Sequence, residues 1–216
     1  MNKPKKNNII LDQIRDRTPK ELLTRKNEFL KICKILDDLK VNYFLQTGIL
    51  LGAIRDKDLI PWDWDIEISV FSDGFEKKID AVSKRLIKNR FRIKKIIRKK
   101  KELKIDFIGK YPQNVTGYTI FAWNYSKIRD CYWRKNFIVS AKYLNKYSQI
   151  KFFGRKFNCP YNPEEYLTYA YGNWRKPLRT KNKEVYFTKN FLDKKRLLFN
   201  NIKINLKKFL YDIIYK

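Results

Sequence analysis

The segment running from Pro61 through Asp63, Asp65 and Glu67 to Val70 (PWDWDIEISV) constrains this chain more than any other. Its three acids stand at i, i+2 and i+4. In a strand those side chains share one face, about 6.6 Å apart along it, and Trp64, Ile66 and Ile68 point the other way into a core. Stacked acids repel one another, so a strand keeps them only with a cation to share. Carboxylate oxygens with no imidazole or thiolate nearby suit Mg²⁺ or Mn²⁺. The alternative is an edge strand whose acids simply face water. Here 50 Lys and Arg stand against 22 Asp and Glu, which makes a local stack of acids harder to attribute to chance.

Composition narrows the chemistry further. The chain has no histidine, which removes Ser–His triads, histidine bases and histidine–zinc sites. Its three cysteines, Cys33, Cys131 and Cys159, are too far apart for a zinc knuckle and too few for a disulfide framework. A reducing, cytoplasmic setting is expected, with contact at a membrane surface as its outer limit. No apolar run approaches the roughly 18–20 residues of a membrane span. The apolar part of the N-terminus is Ile9-Ile10-Leu11, well short of the roughly 7–15 residues of a signal peptide. A net charge of +28 invites a polyanionic partner, yet lysine and asparagine are abundant throughout, so charge does not choose a function. No aromatic RNA-binding signature is present, which makes nucleic acid the less favoured partner. With 216 residues, 44% of them hydrophobic, one α+β domain with a real core is expected over 1–216.

Residues 1–17 read as a polar lead. Thr18-Pro19-Lys20-Glu21 has the form of a capped helix start, and apolar spacing carries the helix to about residue 40. Tyr43-Phe44-Leu45 reads as a buried strand. Asp73 is expected to cap a second helix with Phe75, Ile79, Val82, Leu86 and Ile87 on one face. Strands are predicted over 91–97, 103–109, 115–123 and 137–141, and a hairpin over 149–160 turning at Gly154-Arg155. A short helix should start at Asn162-Pro163 and end near Gly172. Residues 190–216 form a long amphipathic pattern with a lysine-rich back. Its stripe either packs on the domain, the commoner use, or lies in a membrane interface.

Two more groups have chemical potential. In Leu103-Lys104-Ile105-Asp106-Phe107, Asp106 faces away from the apolar residues of its strand. Placed beside the first strand, it joins the metal cluster or acts as general base; otherwise it is an ordinary polar-face aspartate. Upstream, a helix starting near Thr47-Gly48 would offer free N–H groups to a phosphate, with Gly52 allowing close approach and Arg55 a bidentate contact. Helix packing explains such a Gly-x-x-x-Gly spacing equally well.

The run GILLGAIRDKDLIPWDWDIEI resembles the signature of the LicD and fukutin-related family. FFGRKFNCPYNPEEYLTYAYGNWRKP is similar to that family's strand pair, acidic helix and Tyr-Gly-x-Trp close, and KIDFI around Asp106 to its distal aspartate strand. The matches span about 44–178 in the expected order. The resemblance implies a polymerase-β-like nucleotidyltransferase fold, a mixed sheet flanked by helices. It also implies metal-dependent transfer of a phospho-substituent, phosphocholine or phospho-alditol, from a CDP-linked donor to a hydroxyl of a glycan or glycolipid. Carried over, Asp63 and Asp65 are metal ligands, and Glu67, which replaces a common aspartate, is an outer or longer-reach ligand. Asp106 is then base or further ligand, and Gly48, Gly52 and Arg55 hold phosphates. Trp174 and Arg175 close the pocket, though core packing accounts for Trp174 equally well. The spacer Asp56-Lys57-Asp58 departs from the family pattern in carrying two acids and no glycine. Rival readings are nucleotidyl transfer to RNA or a small molecule, and a non-catalytic basic module that binds glycan phosphate or membrane.

Overall fold

A computed structural model describes residues 15–99, 101–109, 117–180 and 182–192. The expected C-terminal amphipathic helix lies outside these residues beyond Leu192, as does the lead before Arg15. Residues 15–17, expected as part of that lead, pack instead: Arg17 is buried, and its N–H donates to the Pro61 carbonyl at 2.9 Å.

The first helix, α1 (Pro19–Asp38), begins as its sequence requires. Thr18 Oγ1 accepts from the Glu21 N–H, and the Glu21 carboxylate accepts from the Thr18 N–H at 2.7 Å, which closes a capping box. Burial along α1 includes Glu21, Arg25, Phe29 and Ile32, so a basic side chain occupies the core-facing stripe.

The main sheet has seven strands. The path is β1 (Tyr43–Leu45), β2 (Asp65–Phe71), β5 (Gly117–Ser126), β4 (Glu102–Ile108) and β3 (Arg92–Lys99), with β6 (Cys131–Arg134) paired to β5 and β7 (Phe137–Ser140) paired to β6. The β2–β5 pair is parallel and every other pair is antiparallel, so the sheet is mixed. Ile66, Ile68 and Val70 of β2 share a buried face with Tyr118 and Ile120 of β5 and with Leu103, Ile105 and Phe107 of β4. Helices cover it: the Tyr118 hydroxyl donates to Glu28 of α1 at 2.8 Å, and Phe91, just after α4 (Ile79–Lys88), packs edge-on against Phe107. The opposite face carries Asp65, Glu67, Thr119, Asp106 and Lys104. A separate hairpin of β8 (Tyr147–Phe152) and β9 (Arg155–Pro160) packs its Phe152 and Phe157 on Phe29 of α1.

Several details depart from the expectations. Asp73 caps nothing; it lies in the first turn of a four-residue helix, α3 (Ser72–Phe75), and α4 starts separately at Ile79. Ile87 is 58% exposed, because α4 turns only Ile79, Val82, Ser83 and Leu86 inward. The β8–β9 turn falls on Phe153-Gly154, both with positive φ, the mirror-image turn that suits strand twist. Trp64 precedes β2 rather than belonging to it, so strand alternation does not send it into the core with Ile66 and Ile68. Among the described residues no helix is long and apolar enough to cross a membrane.

Candidate active site

The chain enters β2 through a turn at Pro61-Trp62, and the first two acids of the ladder stand at its N-terminal end. A pocket opens there. Its floor includes Asp63, Asp65 and Glu67. Thr47, Gly48 and Arg55 line one side, and a strap after α5 (Pro163–Tyr171) contributes Trp174, Lys176, Lys183 and Tyr186. Lys183 and Tyr186 belong to a short helix, α6 (Lys183–Tyr186). Trp62, Trp64 and Tyr171 add aromatic wall.

Burial pushes the Asp63 carboxyl above its ordinary range, and Glu67 pushes it further, while Arg25 pulls the other way. Asp65 is raised well above the usual carboxylate range by burial, then by the charges of Asp63 and Glu67. Burial also raises Glu67, but Arg134, with Lys183 and Lys104 behind it, holds Glu67 below its ordinary value. Glu67 keeps 24% of its side chain open to the pocket although protein surrounds it at longer range. Among the described residues no cationic side chain touches the carboxylate of Asp63 or Asp65. The Arg25 guanidinium donates instead to their backbone carbonyls, at 2.7 Å to Asp63 and 3.2 Å to Asp65. Two crowded carboxylates with no salt-bridge partner are the donor set a hard divalent cation takes. The fit is to a pair: among the described residues no three such side chains converge into a complete cage.

The segment before the ladder is shaped to it. A Cβ on Gly48 would stand 2.5 Å from Asp63 Oδ2, so only glycine leaves that carboxylate its place. Thr47, a β-branched residue, has φ +53° at the start of α2 (Thr47–Leu51), and its hydroxyl lies 3.5 Å from Glu67 Oε2. Such strain is tolerated where surrounding structure overdetermines it.

The other predicted site residues are distributed unevenly. Arg55 lines the pocket, pairs with Asp56 at 2.8 Å and reaches the Trp174 carbonyl at 3.4 Å. Gly52 does not line it; a Cβ there would meet the Asp58 carbonyl at 2.5 Å, so this glycine serves loop packing. Trp174 combines both expected roles, being core-buried and pocket-lining, with its indole N–H on Thr168 Oγ1 at 3.1 Å. Arg175 is exposed outside the pocket, pairing with Glu164 and stacking on Trp174 at 4.3 Å. Asp106 is not on a strand next to β2. Strand β5 intervenes, and Thr119 stands between Glu67 and Asp106 in one row across the face. Asp106 accepts from Thr119 Oγ1 at 3.0 Å and pairs with Lys104 at 2.8 Å.

Sequence reasoning placed Trp174 of the strap at the pocket but missed Arg25, Arg134, Lys176, Lys183 and Tyr186. Arg25 had a signal: it lies three residues after Leu22 and four before Phe29, on the apolar stripe of α1.

Residues 40–162 match the family described as LicD/FKTN/FKRP, nucleotidyltransferase domain. The chain belongs to that family. It is similar to the lipopolysaccharide cholinephosphotransferase LicD of Haemophilus influenzae, 37% identical over 66 residues, 27% of this chain and 25% of that protein. It is also similar to the mouse ribitol 5-phosphate transferase FKRP, 43% identical over 37 residues, 17% of this chain and 8% of the relative. The matched stretches thus span a quarter or less of these relatives' own lengths. Among solved structures, the antibiotic-resistance factor ANT(2'')-Ia aligns with a TM-score of 0.46 and 12% identity over 76% of this chain and 80% of that one, a likeness too slight to argue from.

Proposed function

We propose that the chain transfers a phospho-substituent, of phosphocholine or phospho-alditol type, from a CDP-linked donor to a glycan hydroxyl, on a polymerase-β-like nucleotidyltransferase fold. The observation that carries the reading is the Asp63–Asp65 pair. Both carboxyls are raised by burial and by neighbouring acids, line a pocket, and among the described residues have no cationic side chain on them. The names of the family's relatives supply the substrate class.

In this reading Asp63 and Asp65 hold Mg²⁺ or Mn²⁺, and Glu67, tied to Arg134, is the outer carboxylate of the ladder. The bound cation supplies charge neutralisation at the diphosphate. Gly48 keeps Asp63 free to serve, and Arg25 fixes the two backbone carbonyls behind the pair. Arg55, Lys176 and Lys183 give the pocket cationic side chains for phosphate oxygens, and the aromatic wall excludes water from one side of the donor. Asp106, one strand beyond Thr119 and paired with Lys104, does not line the pocket and stays the ordinary polar-face aspartate of the β4 ion-pair cluster.

A donor screen tests this. In Mg²⁺, CDP-choline, CDP-ribitol or CDP-glycerol should raise the melting temperature more than ATP or GTP, because a ligand of the native state stabilises it by mass action. An ATP shift with none from any CDP compound would favour nucleotidyl transfer instead.

A further inference from the structure

We propose that Arg134 is the positioning residue of the acid ladder: it fixes the Glu67 carboxylate as the outer acid beside the Asp63–Asp65 pair that takes the cation. The inference rests on the metal reading above, which ties Arg134 to Glu67 and gives it no role of its own. Arg134 ends β6, a strand off the main path of the sheet, and its side chain is 2% exposed. Its Nη2 donates to Glu67 Oε2 at 2.7 Å. The guanidinium plane is held by three rings, with its central carbon 4.0 Å from the Phe121 centroid, 4.9 Å from Trp123 and 5.2 Å from Phe137.

Two features separate this pair from an ordinary structural ion pair. Nε and Nη1 of Arg134 are buried and make no hydrogen bond among the described residues, so the arginine is not placed to satisfy its own donors there. A buried, incompletely satisfied guanidinium costs stability, and apolar residues of similar volume often do better. What it secures is the direction of one carboxylate. Glutamate is longer than aspartate and has one more rotatable bond, so Glu67 needs an external anchor that a shorter acid would not. Arg134 supplies it at Oε2, where Thr47 also points its hydroxyl.

A double-mutant cycle read by Mn²⁺ titration of the purified protein, followed by electron paramagnetic resonance, tests the inference. If Arg134 acts through Glu67, then Arg134→Met and Glu67→Gln each weaken Mn²⁺ binding by about tenfold, the lower end for outer-shell partners of metal ligands. The double variant is then no weaker than either single, because both remove the same contact. Arg134→Lys, which keeps the charge and loses the fork, should recover only part of the affinity. Should Arg134→Met strand the Glu67 charge and fail to fold, the double variant removes both charges and is compared with Glu67→Gln alone. Folded Arg134 variants that bind Mn²⁺ as the wild type does, or effects that add in the double variant, overturn the inference while leaving the metal reading intact. A wild-type protein that binds no Mn²⁺ overturns both.

Discussion

Two trios of charged side chains with the same spacing belong to neighbouring stretches of the same sheet, and they behave oppositely. The β2 trio, Asp63 just before the strand with Asp65 and Glu67 in it, is acid throughout, and its first two carboxylates have no cationic partner among the described residues. The β4 trio is Glu102, Lys104 and Asp106. There Lys104 stands between the acids, 3.4 Å from Glu102 and 2.8 Å from Asp106, and neutralises them internally. Strand alternation puts the β4 trio on one face, and Asp65 with Glu67 likewise, while Asp63 joins them from the loop before β2. The middle residue decides whether the result is a closed ion-pair cluster or a site with unspent negative charge. One strand, β5, separates them, and its Thr119 is the register partner of both Glu67 and Asp106.

Converting the first trio into the second is the most severe test. Asp65→Lys should abolish transfer, by on the order of 10³-fold or more, since a divalent cation is worth several kcal/mol of charge stabilisation. The metal-free variant should melt above the wild type, because an acid disfavoured by burial and by the charges of Asp63 and Glu67 is exchanged for a partner of those charges. Turnover assays and calorimetric melts read both. A variant that stays active, or that melts lower while still folding, breaks the comparison. Next in size, Gly48→Ala leaves the acids in place and moves one of them. Its Cβ collides with Asp63 Oδ2, so activity should fall by about 10²-fold, the cost of roughly 1 Å of misplacement. The circular dichroism spectrum should not change. Wild-type rates in Gly48→Ala would show that the Asp63 position is not critical.

How much of this contrast was legible in the sequence varies with the range of the interaction. The Asp65–Glu67 part of the ladder, the Thr18–Glu21 capping box and the β8–β9 pairing are local patterns that fold as their spacing dictates, though Asp63 stays in the loop before β2 and the hairpin turns one residue earlier than expected. The Asp106 strand was also readable, but its distance from β2 was not. Which strand lies between them depends on the parallel β2–β5 pairing, a crossover no spacing encodes. Trp64 was misplaced because alternation begins only where the strand does, at Asp65. Arg134 gave no signal, since β6 is four residues long and its partner Glu67 lies 67 positions away. The strap bearing Trp174, Lys183 and Tyr186 has little regular structure to leave a periodicity.

The second trio predicts smaller effects. Asp106→Asn should leave kcat within about twofold of the wild type, since Lys104 holds that carboxylate outside the pocket. A loss of about 10²-fold in kcat would make it the general base instead. Lys104→Met should cost about 1 kcal/mol of stability, the scale for a partly exposed pair, because it leaves Glu102 and Asp106 unneutralised. Denaturant titration measures this, and an unchanged midpoint would mean that the lysine does not tie that trio together.

The most direct measurement is Mn²⁺ binding to the purified protein, compared among the wild type, Asp65→Asn and Glu102→Gln by electron paramagnetic resonance. The β2 trio should give the wild type saturable binding that Asp65→Asn removes and Glu102→Gln leaves unchanged. Binding that survives in Asp65→Asn, or that disappears in Glu102→Gln, would contradict the assignment of the cation to the ladder.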